Sequence, residues 1–385
     1  MIKYTRSIEP FIKKRLFEPG KIIVLYGPRQ TGKTTLSKKL LRDYQSERGY
    51  FNCEEILPRD ILMSHDPKLM ANFFEGHKVI VLDEAQSVPD IGKALKILID
   101  AYPGMNIIAT GSSSFELANK LNEPLTGRHY EFFLPPISFE EISGTLDNAE
   151  ILSTVGVRMI YGCYPEILSS ANNDDARMKL ETLASSYLYR DVLQMNHIKN
   201  PETLSKILRA LAHQVGGGVS YNEIAKAVQI DRKTVMSYVD LLEQAFIIFR
   251  LSPLTKNPRD EIKRQSKIYF YDNGIINALT QNFAGVETGR NVGGLWENLM
   301  ISERRKMKLA HGAYRNVYYW RTHTGQEVDL IEEYDGKYHP YEFKWQKTQP
   351  AKGAAAFERN YDDAEAISVI NRYNFLDFVT ARGLE

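Results

Sequence analysis

Residues 27–34 read Gly-Pro-Arg-Gln-Thr-Gly-Lys-Thr and match the pattern G-x-x-x-x-G-K-[ST] in full. The residues before this stretch, 21–26, read KIIVLY, a short apolar run that predicts a buried strand. The residues after it, 34–42, read TTLSKKLLR, with apolar positions at helical spacing. A glycine-rich loop between a strand and a helix surrounds a phosphate with backbone N–H groups and a helix N-terminus. The alternative is a glycine-rich turn that matches by chance.

This loop predicts a nucleotide site. Lys33 is expected to reach the β and γ phosphate oxygens, and the Thr34 hydroxyl to bind Mg²⁺. We therefore expect ATP and Mg²⁺ as cofactors. The residues expected to contact the nucleotide are Gly27, Pro28, Arg29, Gln30, Thr31, Gly32, Lys33, Thr34 and Thr35.

The chain has 385 residues, of which 43% are hydrophobic and 25% are charged, and its net charge is +1. This composition is typical of a globular protein. A chain of this length is too long to fold around a single hydrophobic core, so we expect two to four domains. The two cysteines, Cys53 and Cys163, have neither a metal-binding spacing nor a disulfide framework, which suits a reducing compartment. The charged N-terminus and the absence of an apolar run of about 18 residues favour a cytoplasmic protein outside the membrane.

Short apolar runs alternate with helical patterns up to residue 142, at 50–55, 79–84, 106–111 and 129–135. This alternation predicts an α/β fold with a parallel sheet. We assign residues 1–142 to this first domain, and residues 1–20 predict an amphipathic helix that packs on it.

The run at 79–84, VIVLDE, ends in two carboxylates. Asp83 and Glu84 should lie at the carboxyl end of a buried strand, where α/β sheets bind ligands. Asp83 is expected to hold the Mg²⁺ shell, and Glu84 to orient and deprotonate the attacking water.

Two further motifs resemble those of AAA+ ATPases: Thr-Gly-Ser-Ser-Ser at 110–114 and Leu-Thr-Gly-Arg at 125–128. The resemblance implies that Ser112 is the polar sensor after the strand, although Ser113 stays an alternative. It also implies that Arg128 is an arginine finger supplied by a neighbouring subunit, hence a homo-oligomer. A surface arginine in a turn is the alternative.

A narrower resemblance covers nearly the whole chain. GPRQTGKTT, DEAQ, PPISFEE and YGCYPE look like one bacterial and archaeal ATPase family whose C-terminal domain is of unknown function. The usual G-G-Y-P of this family is Gly162-Cys163-Tyr164-Pro165 here, a departure at an expected packing turn.

The strand pattern stops after residue 142, and we expect residues 143–198 to form a helical lid. We expect residues 199–285 to form a winged helix-turn-helix. Ser220 and Asp231 are placed as N-caps of its two helices. Residues 250–267, which include the loop of the following hairpin, contain six basic and two acidic residues, a net +4. This charge favours DNA as a partner, and a solvated hairpin is the alternative.

Residues 286–385 predict the element order α-β-β-β-α-β. Glu297, Asp329, Glu342 and Lys344 stand on these elements in the order that resembles PD-(D/E)XK nucleases. Asp329 and Glu342 are expected to bind Mg²⁺, Lys344 to hold the attacking water, and Glu297 to support them from the first helix. The alternatives are a nuclease fold without turnover and a nucleotide-driven regulator that docks protein partners.

Overall fold

The computed structural model describes residues 4–111, 125–187, 200–255, 266–289, 291–313, 315–346 and 353–381. Among these residues no helix is long and apolar enough to cross a membrane. The helices are α1 Glu9–Arg15, α2 Lys33–Asp43, α3 Ile56–Met63, α4 Pro67–Phe73, α5 Ile91–Ala101, α6 Phe139–Ser143, α7 Asn148–Tyr161, α8 Pro165–Leu168, α9 Asn173–Thr182, α10 Pro201–His213, α11 Tyr221–Val228, α12 Arg232–Gln244, α13 Asn273–Thr280, α14 Val292–His311, α15 Ala354–Asn360 and α16 Phe375–Val379. The strands are β1 Ile22–Tyr26, β2 Tyr50–Asn52, β3 Ile80–Asp83, β4 Ile107–Gly111, β5 His129–Phe133, β6 Ile248–Pro253, β7 Lys267–Phe270, β8 Asn316–Arg321, β9 Glu327–Tyr334, β10 Lys337–Phe343 and β11 Ser368–Ile370.

The first sheet has five parallel strands in the order β2-β3-β4-β1-β5. One face packs against α3, α4 and α5, and the other against α1 and α2. Because both faces are covered, its central strands are mainly apolar, and the polar residues Asp83 and Thr110 lie at the carboxyl ends of β3 and β4. The predicted α/β fold with a parallel sheet is confirmed.

Two elements of this domain are shorter than predicted. The amphipathic helix expected within residues 1–20 is α1 Glu9–Arg15, with Pro10 in its first turn. The strand expected at 50–55 ends at Asn52, because the Asn52 side chain accepts a hydrogen bond from the backbone N–H of Glu54 at 3.0 Å and starts a turn.

The helices of the middle region do not follow the predicted division at residue 198. Helix α13, which follows the hairpin in sequence, packs against α7 of the expected lid. The Asn277 side chain donates to the carbonyl oxygen of Ile160 at 2.7 Å. The helix-turn-helix order itself is present, with Ser220 capping α11 and Asp231 capping α12 as predicted.

The second sheet has six strands in the order β11-β10-β9-β8-β6-β7. Strands β6 and β7 form the antiparallel hairpin predicted after the helix-turn-helix, and β6 also pairs in parallel with β8. The sequence analysis had assigned this hairpin and β8–β11 to separate domains. A hairpin leaves the outer edge of each strand unpaired, and β8 satisfies the edge of β6. The C-terminal elements follow the predicted order α-β-β-β-α-β, and α16 ends the chain's described part.

The departure from the G-G-Y-P pattern lies where α7 ends. Gly162 has φ +73°, and a Cβ there would lie 1.8 Å from the Asp272 carboxylate. The next backbone N–H, from Cys163, donates to Asp272 at 2.7 Å. Glycine is therefore required at position 162, whereas position 163 holds a buried side chain.

Asp272 gives this junction a pH dependence. Burial raises the pKa of its carboxyl from 3.8 to about 6. In the folded protein the group therefore keeps its proton at a pH at which the unfolded chain loses it, so stability is lost as pH rises from about 4 to about 6. We expect Asp272→Asn to flatten the decline of the unfolding free energy over this window, by up to about 3 kcal/mol.

Urea unfolding at pH 4, 5, 6 and 7 measures this effect, with Asp335→Asn in the exposed turn after β9 as the matched control. Parallel curves for wild type and Asp272→Asn would contradict the assignment.

Candidate nucleotide site and carboxylate cluster

The loop at residues 27–34 connects β1 to α2, as predicted. Gly27 has φ +150°, and a Cβ there would lie 2.3 Å from the carbonyl oxygen of Leu134. Gly32 has φ +95° and forms the N-cap of α2. Both glycines are thus fixed by backbone geometry, which leaves the N-terminus of α2 facing the loop.

The loop is held by hydrogen bonds within itself. Lys33 Nζ donates to the carbonyl oxygens of Gly27 and Pro28, both at 2.8 Å, and the Thr31 hydroxyl donates to Pro28 at 2.8 Å. Gln30 has φ +62°. Of the other predicted contact residues, Arg29 is half-buried and Thr35 is exposed.

Arg6 also fixes this loop, and the sequence analysis missed it. Its guanidinium donates to the carbonyl oxygen of Thr31 at 2.7 Å, to that of Pro135 at 2.6 Å and to the Glu141 carboxylate at 2.9 Å. Arg6 is buried, and it joins the N-terminal segment, the loop and α6. A lone arginine before a helix carries no sequence signal for this role.

The Asp83 carboxylate lies at the carboxyl end of β3 and accepts hydrogen bonds from three hydroxyl groups. Thr34 donates at 2.9 Å, Tyr50 donates at 2.5 Å, and Thr110 donates from β4. Burial and the bond to Asp83 raise the pKa of Tyr50 above its usual range, so its hydroxyl remains a donor. Tyr50 and Thr110 were not predicted as site residues, although Thr110 begins the Thr-Gly-Ser-Ser-Ser motif.

These groups fit a magnesium ion. The Thr34 hydroxyl and the Asp83 carboxylate are adjacent hard oxygen ligands at the N-terminus of α2. Asp83 is almost fully buried, and the bonds from Tyr50 and Thr110 fix the orientation of its carboxylate.

Glu84 follows in the left-handed conformation, with φ +52°. Its backbone N–H donates to the Thr110 hydroxyl at 3.3 Å, and its carboxylate accepts from the Gln86 amide. Ser112 and its alternative Ser113 lie outside the described residues. Arg128 lies at the surface, where its Nε is 2.8 Å from the Asp100 carboxylate.

The C-terminal side chains predicted to meet do lie together. Strands β9 and β10 form an antiparallel hairpin whose turn, Asp335-Gly336, has two positive φ angles, as expected. Lys344 Nζ lies 2.8 Å from Glu342 and 3.9 Å from Asp329. The backbone N–H of Phe343 donates to Asp329 at 2.9 Å.

Glu297 on α14 completes the group, with partners that the sequence analysis missed. Glu297 accepts from Lys267 Nζ at 2.8 Å and from the Tyr269 hydroxyl at 2.6 Å, and Lys267 also pairs with Glu327. Ligand atoms of Glu297, Glu327 and Asp329 lie within 4.8 Å of one another. Glu327 and Asp329 are two residues apart on β9, so the sequence pattern alone could have identified Glu327 as a member of the cluster. Lys267 could not be identified in this way, because it lies on the separate hairpin β6–β7.

The cluster carries more negative than positive charge. Four carboxylates, Glu297, Glu327, Asp329 and Glu342, surround the ammonium groups of Lys267 and Lys344, and the Arg321 guanidinium also pairs with Glu327, which leaves one negative charge when all are ionised. Burial first, and then the Asp329 charge, raises the pKa of Glu297 to about 7 and also raises that of Glu342.

Glu342 is 1% exposed and has the Lys344 ammonium at 2.8 Å, but within the described ranges its other oxygen has no hydrogen-bond partner. An unpaired buried oxygen and excess negative charge fit a divalent cation.

The comparison with protein families agrees with a nucleotide site at the loop of residues 27–34. Residues 19–143 match a family model described as an AAA domain. Residues 154–285 match a domain of unknown function, DUF8612, and residues 292–377 match another, DUF4143.

Relatives occur in bacteria and archaea. An uncharacterized protein of Mycobacterium tuberculosis is 28% identical over 340 residues, which cover 87% of this chain and 72% of the relative. One of Methanocaldococcus jannaschii is 25% identical over 332 residues, covering 81% of this chain and 72% of the relative. The solved Walker-type ATPase of Pyrococcus abyssi aligns with 18% identity and a TM-score of 0.45, covering 71% of this chain and 95% of that one. Along the chain, residues similar to AAA domains at 19–143 are thus followed by matches to two domains of unknown function.

Proposed function

We propose that the protein binds ATP with Mg²⁺ and hydrolyses it at the AAA-type domain. The observation that carries this proposal is the contact between Thr34 and Asp83, at 2.9 Å, directly beside the phosphate-binding loop. The Thr34 hydroxyl and the Asp83 carboxylate would hold the Mg²⁺, which would supply neutralisation of the phosphate charge.

The residues of this chain have distinct parts in the reaction. Lys33 would exchange its bonds to the carbonyl oxygens of Gly27 and Pro28 for bonds to phosphate oxygens. Glu84 would orient the attacking water and accept its proton, and the hydroxyl of Thr110 holds the backbone of Glu84 in place.

Arg128 would act in trans in a homo-oligomer. The side chains of Arg128 and Asp100 in this ion pair are both exposed to solvent, so the pair holds the guanidinium in place only weakly. A neighbouring nucleotide site could therefore draw it away. Ser112 would contact the γ-phosphate or the water.

A second function, metal-dependent DNA cleavage, is favoured by the carboxylate cluster. Asp329 and Glu342 would hold the metal with Glu297 and Glu327 beside them, and Lys344 would position the attacking water. The helix pair α11–α12 and the hairpin β6–β7 would bind the DNA backbone.

The competing interpretation of this cluster is structural. Lys267, which is buried between Glu297 and Glu327, already supplies part of the counter-charge that two adjacent carboxylates need. If Lys267, Lys344 and Arg321 balance the cluster without a metal ion, the protein is an ATP-driven regulator without nuclease activity. Cleavage assays separate the two.

We expect Glu84→Gln to leave ATP binding unchanged and to reduce hydrolysis by about 10²- to 10⁴-fold, because the water loses its base. Lys33→Ala should weaken ATP binding itself. Phosphate release and nucleotide titration measure the two effects, with the exposed Glu75→Gln as control. Equal hydrolysis by wild type and Glu84→Gln would remove Glu84 from the mechanism.

If Arg128 acts across an interface, mixing Arg128→Ala with Lys33→Ala subunits should restore part of the ATPase activity that each variant lacks alone. The mixed interface then joins an intact Arg128 to an intact Lys33. Asp100→Ala should retain activity, since it removes only the surface partner. Failure to recover activity in demonstrably mixed oligomers would place Arg128 outside the reaction.

We expect Asp329→Ala, Glu342→Ala and Lys344→Ala each to abolish Mg²⁺- or Mn²⁺-dependent cleavage of DNA and to leave ATPase activity within a few-fold. Glu297→Ala should have a smaller effect. Glu333→Ala, on the same strand as Asp329, is the matched control.

Single-stranded, duplex and branched DNA should be tested with and without ATP, and Mn²⁺ binding should be measured by calorimetry. Wild-type protein that cuts none of them, or a Glu342→Ala variant that cuts equally well, would refute the nuclease and favour the regulator.

A further inference from the structure

A cavity that includes no residue of the two proposed sites lies between the C-terminal half of α14 and the second sheet. Its volume is about 310 Å³, at the small end of the range for ligand pockets. Its apolar walls are Phe249 and Leu251 of β6, Ile301 of α14, Val317 of β8 and Leu330 of β9. The exposed Leu309 at its edge shows that the cavity reaches the surface.

Four cationic side chains line the same cavity: Arg304, Arg305, Lys308 and Arg315. A single buried carboxylate, Glu332, pairs with three of them: it accepts from Arg304 at 2.7 and 3.0 Å and from Arg315 at 3.2 Å, and it lies 3.8 Å from the Lys308 ammonium. Arg304, Arg305 and Lys308 thus share one neighbouring carboxylate in the described part of the chain.

Arg305 and Lys308 donate hydrogen bonds to uncharged oxygen atoms in the described part of the chain. Arg305 donates to the Tyr271 hydroxyl at 3.0 Å and lies over the ring of Phe249 at 4.7 Å. Lys308 donates to the carbonyl oxygen of Arg315 at 2.8 Å and lies 3.8 Å from Glu332.

The end of α14 offsets part of this excess but not all of it. The last carbonyl groups of a helix act as about half a negative charge. Set against Arg304, Arg305 and Lys308, Glu332 and the helix end leave more than one positive charge beside a partly buried apolar space. Burial and the neighbouring arginines lower the pKa of Lys308 to about 8, although the Glu332 carboxylate opposes this shift.

We propose that this cavity binds a small organic anion with an apolar body, either a carboxylate or a phosphate monoester. The head group contacts Arg305 and Lys308, and the apolar part packs between Phe249, Ile301 and Leu330. A bulky polar ligand is disfavoured because the walls are mainly apolar, and an uncharged one would leave Arg305 without a carboxylate partner among the described residues.

Saturation-transfer NMR and calorimetry on the full chain test this, with octanoate, octyl phosphate and 1-octanol as probes. Octanoate or octyl phosphate should bind at least about tenfold more tightly than 1-octanol, and whichever binds better identifies the head group. Lys308→Met, which keeps the length of the side chain, should weaken binding of the anion about tenfold and leave that of 1-octanol unchanged. Lys93→Met, an exposed lysine on α5, is the matched control.

Salt provides a test that needs no variant. Raising NaCl from about 50 to about 500 mM should weaken anion binding several-fold and should not weaken 1-octanol binding. The proposal is overturned if neither anion binds below about 10 mM, if 1-octanol binds as tightly as the anions, or if salt has no effect. It is also overturned if Lys93→Met and Lys308→Met weaken the anion equally.

Discussion

The carboxylate of Asp83 is the contact on which the nucleotide site depends. It joins α2 through Thr34, β2 through Tyr50 and β4 through Thr110, so one side chain fixes three elements around the loop. A buried carboxylate that accepts several hydrogen bonds is stable only with all of them in place. The same bonds that secure the fold therefore preset the orientation of the proposed metal ligand.

Helix α14 has a comparable role for the rest of the molecule. Its first half brings Glu297 to the carboxylate cluster, and its middle carries Glu303, which accepts a hydrogen bond from the backbone N–H of Phe139 at 2.6 Å. Glu303 also pairs with Lys306 at 2.6 Å, and both side chains are fully buried. Breaking such a buried pair would leave an uncompensated charge, which makes this contact between the C-terminal region and α6 specific.

Aromatic packing adds a second connection between the loop and the C-terminal half. Tyr26, directly before the phosphate-binding loop, stacks on Phe246 at 5.4 Å, and Phe133 lies 4.6 Å from the same ring. Tyr271 lies 5.3 Å from Phe133 and accepts a hydrogen bond from Arg305. Closely packed rings transmit displacement because interiors have few voids. The end of β1 therefore packs against aromatic side chains that directly flank strands β6 and β7.

Local sequence patterns were enough to predict the parallel sheet, the loop between β1 and α2, Asp83 at a strand end, and the meeting of Asp329, Glu342 and Lys344. Each follows from short-range periodicity or from a turn such as Asp335-Gly336, whose geometry neighbouring residues determine. Arg6, Tyr50 and Lys267 were missed because each reaches its partner across a long sequence separation, 25 residues for Arg6 and Thr31 and 30 for Lys267 and Glu297. The pairing of β6 with β8 was missed for the same reason, since only the tertiary structure decides which strand satisfies an unpaired edge.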